Sequence, residues 1–165
     1  MDKDAYLAGI AELYAAEVLG EGLASRWLGL ATDPDQQYKL GLFLQLESEA
    51  KVRLRPLLAR HALSLVEDES VRAAGLAAAE RFAQMPWKEA MAILAELALP
   101  YLRRFQALSE VAAPEDMPLV VFMVNHEQSV IDMALQEAAG EGAMDRKLVS
   151  MLSHPLVRSS PPSTG

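Results

Sequence analysis

Four glutamates, Glu17, Glu47, Glu96 and Glu127, each stand near the middle of a long apolar segment rich in helix-forming residues. This feature restricts the fold more than any other. Burying a carboxylate costs several kcal/mol unless it is paired, protonated or bound to a metal. A chain that repeats the arrangement on four helices is expected to bring the acids together. Each helix turning one acid inward would place a carboxylate cluster in the middle of a bundle, the framework of a two-metal site.

The periodicity supports helices for all four segments. The first is predicted over about 3–30, where Leu7, Ile10, Tyr14, Glu17, Glu21, Ala24 and Leu28 recur at spacings of three and four on one face. Asp33 and Pro34 read as a helix start, an N-cap followed by proline at the first position. The second helix is predicted over about 34–65, with Leu40, Phe43, Glu47, Ala50, Leu54, Leu57 and His61 on its seam and Pro56 as a site for a kink. Glu49 lies about 200° around the wheel from Glu47 and is expected to face outward. Residues 67–86 are less apolar and suit a crossover carrying a short helix that Glu67 to Ser70 can start and Val71 to Gln84 continue. The third core helix is predicted over about 87–111, with Leu94, Leu97, Tyr101, Phe105 and Leu108 as its stripe. Glu96 lies about 100° off Leu97. It is nevertheless the only charge between Ala90 and Leu102, so it is expected inside a helix buried on more than one side. The fourth core helix is predicted over about 119–139, with Val120, Val124, Glu127, Ile131 and Ala134 inward. The run 119–124 has strand propensity, but no second strand pattern exists to pair with it. Gly140 to Gly142 end this helix. A short terminal helix is expected over 143–153 and a flexible tail over 155–165, leaving residues 1–154 as one helical domain.

Composition agrees with an all-α fold: 52% of the 165 residues are hydrophobic, and β-branched residues are few outside 119–131. The net charge of -8, with no basic stripe, argues against nucleic acid or an anionic membrane as partner. The chain has no cysteine, which removes thiol catalysis, Fe–S clusters and Cys-type zinc sites together. The longest apolar stretch, Ala90 to Leu102, is interrupted by Glu96 and Pro100 and is too short for a span. Met1-Asp-Lys-Asp does not open a signal peptide, and the expected location is the cytoplasm. No glycine-rich phosphate loop, H-E-x-x-H or G-x-S-x-G motif occurs.

Two long helices, a crossover with a short helix, and two more long helices, each long helix carrying one lone acid, make a pattern that resembles the ferritin-like superfamily of di-iron and di-manganese carboxylate proteins. The resemblance covers about residues 3–140. In that family two helices each give a Glu and the other two each give a Glu-x-x-His pair. Glu17 and Glu96 match the lone glutamates, and Glu47 and Glu127 match the paired ones. The separations agree, with 47 − 17 = 30 and 127 − 96 = 31. The resemblance implies a ferritin-like four-helix bundle, with iron or manganese as the metal. Both family histidines are missing: Ala50 and Val130 stand three residues after Glu47 and Glu127. His126 is the one histidine beside an acid. It points about 100° from Glu127 and could ligate a shifted single-metal site or hydrogen-bond one of the acids. His61 is roughly 21 Å along the axis from Glu47 and cannot share that site.

Ordinary structural roles are open to the same residues. Lys51, four residues after Glu47, offers a helical ion pair. Glu17 can meet Lys51 or His126 across the bundle, and Glu96 can be held by the hydroxyl of Tyr14 or Tyr101 or stay protonated. Trp27 and Trp87 read as packing anchors, and Glu67 to Glu69 as a solvated face that caps a helix. The expected function is therefore a ferritin-like protein with a degenerate carboxylate-rich centre. It would serve as a ligand-binding or assembly module, with a small molecule in the centre and a second copy of the chain as partners. The alternative is a di-metal or mono-metal oxidoreductase with Glu17, Glu47, Glu96, Glu127 and His126 as its ligand set. No catalytic residue is indicated.

Overall fold

Local signals set the helix boundaries. In a computed structural model describing residues 2–141 and 145–157 (side chains of 145–147 excepted), these signals produce six helices and no strand among the described residues. They are α1 (Lys3–Leu30), α2 (Pro34–Arg60), α3 (Glu69–Phe82), α4 (Trp87–Ser109), α5 (Met117–Ala139) and α6 (Asp145–Met151). Asp2, Asp33 and Asp68 cap α1, α2 and α3 by accepting from backbone N–H groups of the first turn, which removes orphan donors at each start. Gly140 closes α5 with φ 79°, a left-handed conformation that glycine adopts without a Cβ penalty.

The second helix stops at Arg60, earlier than the expected 65. Ala62 takes φ 53°, and Leu63 N–H turns back to the Leu58 carbonyl. The run 119–124 is helical, as its lack of a pairing partner required. The start of the predicted terminal helix at 143 and most of the predicted tail, 158–165, lie outside the described residues. Within 155–157, Leu156 N–H donates to Gln45 Oε1 at 3.2 Å.

Helix α1 lies along α2 and α3, α4 lies along α5, and lighter contacts of α1 with α4 and of α2 with α5 close the arrangement. Two apolar clusters fill it. One joins the C-terminal half of α1 to the first halves of α2 and α4 and the second half of α5. The other joins the opposite halves of the same four helices. Neighbouring long helices therefore run antiparallel, while α2 and α4 run parallel. The chain must cross the length of the molecule between Arg60 and Trp87, and α3 makes that crossing against α1. Gly75 permits the close approach, because a Cβ there would stand 2.2 Å from the Leu19 carbonyl oxygen.

Helix α4 buries Leu94, Phe105 and Leu108 of its expected stripe but not Leu97. Met91, Leu94, Ala98, Leu102 and Phe105 are buried, whereas Leu97 is 54% exposed. Glu96 is exposed on the outer side, which corrects its expected place in the centre. The reason is register: the small residues Ala95 and Ala98 lie on the inner seam, and Glu96 falls off it. No helix among the described residues is long and apolar enough to cross a membrane.

Candidate metal centre

Three acids come inward at the level between the two apolar clusters. Glu17 from α1, Glu47 from α2 and Glu127 from α5 are 0%, 4% and 7% exposed, and His126 beside Glu127 is 1% exposed. His126 Nε2 stands 3.1 Å from Glu47 Oε1 and 3.4 Å from Glu17 Oε2. One donor atom from each of Glu17, Glu47 and His126 falls within 4.8 Å of the others, so this buried group could hold a metal ion. Helix α4 supplies no donor here. Ala50 and Val130, at the positions where the ferritin-like pattern has histidine, are buried apolar filler.

The other acids drawn toward the core have cationic or hydrogen-bonding partners, although Glu137 Oε1 accepts none. Glu21 and Glu67 share Lys51 and Arg72, and Ser48 also donates to Glu21. Asp116 accepts from Arg60 and Tyr6 and pairs with His61 at 2.6 Å. Glu137 accepts from Lys39 and from the Trp87 indole, both at 2.8 Å. Lys51 is thus committed to Glu21 and Glu67, and the helical Glu47–Lys51 pair allowed by the sequence does not form. Glu67 belongs to this network rather than to a merely solvated face.

Glu17 stands apart. Neither of its carboxylate oxygens has a hydrogen-bond partner, and neither does His126 Nδ1. Burial, with Glu47, Glu127 and Glu21 nearby, raises the Glu17 carboxyl well above its usual range. Burial also lifts Glu127, to about 7, with Glu47 adding to the rise while His126 and Arg104 oppose it. For His126, burial favours the neutral ring, but the charge and hydrogen bond of Glu47, with Glu127, outweigh it and leave the imidazole above its ordinary value. Without a cation, these shifts favour the protonated form of the Glu17 carboxyl and the charged form of the His126 ring.

Two further features belong to the centre. Glu47 packs directly on α1 at Gly20, where an added Cβ would lie 1.9 Å from Glu47 Oε2. The available signal was Gly20 itself, since a glycine inside a helix marks a close approach more often than a random choice. The second is a cavity of about 90 Å³ with Glu47 and Glu127 at one end and α4 residues Leu94, Leu97 and Ala98 on its wall. No family model, curated protein or solved structure matches the chain.

Proposed function

We propose that this is a ferritin-like helical protein that binds a single transition-metal ion through Glu17, Glu47 and His126. The observation that carries the reading is the pair of buried, partnerless Glu17 oxygens facing a histidine. A buried carboxyl with no donor is a costly arrangement, and a cation would satisfy it.

The donor set fits. Two ligands each about 2.1 Å from one ion, at a tetrahedral angle, stand about 3.4 Å apart. The separations from His126 Nε2, 3.1 and 3.4 Å, are of that size. Two carboxylates and one imidazole suit iron, manganese or zinc. Glu127, buried next to His126, is the nearest further acid. The antiparallel neighbours and parallel α2 and α4 support the ferritin-like reading, as does the α3 crossover. Helix α4 offers nothing to a second ion, which favours one metal over two. An ion of the iron or manganese type would supply Lewis-acid or redox chemistry beside the cavity. The protein's own part is to fix the three ligands and keep bulk water out.

The test is metal analysis of the full chain, purified without chelators and then refilled with Mn(II), Fe(II) or Zn(II). One ion per chain is expected, falling below a tenth in His126→Ala and Glu17→Gln. Failure of all three metals to bind the unaltered chain would sink the proposal.

A further inference from the structure

The cavity beside the centre is built like a binding site rather than a packing defect. Its inner wall is apolar, formed by Leu23, Phe43, Leu94, Ala98 and Val130, and its far end is formed by the carboxyl groups of Glu47 and Glu127. Its mouth lies between α3 and α4, over α1, where Ala78, Leu97 and Tyr101 stand. Outside the mouth a groove of about 350 Å³ continues along α1 and α3, and Ala16, Leu19 and Tyr101 line both spaces. A molecule therefore has a path from solvent to the carboxylates that breaks no helix.

The polar end is open to an occupant. Glu127 accepts no hydrogen bond from the described residues, and its oxygens, unlike those of Glu17, are not sealed from solvent. A carboxyl oxygen accepts a hydrogen bond in either protonation state. Water from the groove serves as donor when the cavity is empty of ligand. A purely apolar occupant would displace that donor without replacing it, whereas an occupant with one donating group restores the bond. The volume limits size: an engineered apolar cavity of roughly 150 Å³ admits benzene, so about 90 Å³ admits something smaller.

We propose that this cavity binds a small neutral molecule of short-chain alcohol size, with its apolar body against α4 and a hydroxyl donating to Glu127. This deepens the metal reading by naming the class of molecule that would sit beside the ion, yet the cavity and its open acceptor exist without the ion.

The experiment is a titration of the full chain with ethanol, followed by methyl NMR of Leu23, Leu94, Ala98 and Val130, with xenon as the apolar comparison. Saturable shifts confined to these methyls are expected. Ala98→Leu, which fills the cavity, should abolish them. Ala78→Leu at the mouth serves if Ala98→Leu does not fold. Glu127→Leu should weaken ethanol at least tenfold while xenon still enters. Linear shifts without saturation would overturn the proposal, as would binding indifferent to the filling variants or equal ethanol affinity in Glu127→Leu. The same titration is run on metal-free and Zn(II)-treated protein. Saturable ethanol binding in a chain that takes up no metal supports the cavity site and overturns only the ion.

Discussion

Gly20→Ala is the sharpest test of how the centre is held. The added methyl would lie 1.9 Å from Glu47 Oε2 and 2.6 Å from Glu47 Cδ. Ordinary contact begins at 3.4 Å, so the carboxylate must retreat by about 3.4 − 1.9 = 1.5 Å. Metal–carboxylate bonds are only about 2.0–2.2 Å long, so that retreat removes Glu47 from the ion. An ion at one hundred times its Kd stabilises the fold by about 2.7 kcal/mol. At about 2–4 °C per kcal/mol for a chain of this size, the unaltered protein should gain about 5–11 °C in Tm. Gly20→Ala should gain almost none. Without metal, the helix-propensity benefit of about 1 kcal/mol opposes an overpacking cost of about 1–3 kcal/mol, so Tm stays level or falls. Gly29→Ala is the control, because a Cβ there meets nothing within 4 Å. It should add about 0.5–1 kcal/mol and keep the full metal response. The assay is thermal melting by circular dichroism with and without Mn(II) or Zn(II). A Gly20→Ala protein that retains half or more of the metal-induced rise would refute the reasoning.

Other substitutions separate the centre from its surroundings. Glu96→Gln, on the exposed side of α4, should change stability by less than about 0.5 kcal/mol and leave metal uptake intact; loss of uptake would put Glu96 back among the ligands. Burial raises the Asp116 carboxyl, but His61, Tyr6 and Arg60 outweigh it and hold the group below the usual carboxylate range. Its folded-state value is thus below the unfolded one, so its stabilisation is present above the ordinary carboxylate range and is lost as pH falls through the folded value. Asp116→Asn should then cost about 3 kcal/mol at pH 7 and progressively less as pH falls below the ordinary carboxylate range, read by urea unfolding at each pH; a difference independent of pH would contradict this. Lys39→Met leaves Glu137 buried without its cation and should cost about 3–5 kcal/mol, whereas Lys39→Met with Glu137→Leu should recover most of the loss. Equal losses in the single and double variants would show that the ion pair is not the cause.

The helices were legible because their ends carry strong local signals, such as Asp33 with Pro34 and the glycine at 140. The inward acids of α1, α2 and α5 were legible because each replaces an apolar residue on a seam of large side chains. Helix α4 was misread for the opposite reason. Its stripe of Leu97 and Tyr101 attracted attention, while the true inner seam includes Ala95 and Ala98, whose small side chains weaken the pattern. Glu96 was expected inside because the helix is apolar nearly all round there, but that side, with Leu97 54% exposed, faces solvent. The buried ion pairs were hidden for a different reason: Lys39 with Glu137, and Arg60 and His61 with Asp116, join residues 55 to 98 positions apart, and nothing local marks such partners.

On the proposed reading, the same helix ties a single ion to a small cavity. A two-ion site in the ferritin-like pattern draws acids from all four helices. Moving the α4 acid to the surface removes donors and volume at once, because Ala98 on the inner seam is far smaller than glutamate. Space opens on the α4 side, bounded by Leu94 and Ala98. The remaining donors, Glu17, Glu47 and His126, sit on α1, α2 and α5. Their number is suited to one cation, and Glu127 is left facing the new space rather than a second ion. On this reasoning, returning an acid to the inner seam by Ala98→Glu should fill the cavity and add a fourth carboxylate to the centre. A rise in bound metal from one ion toward two per chain, measured together with loss of ethanol binding, would tie the two properties to one position. Filling of the cavity with no change in metal content would show that the spacing of α4, and not only its missing acid, keeps the site mononuclear.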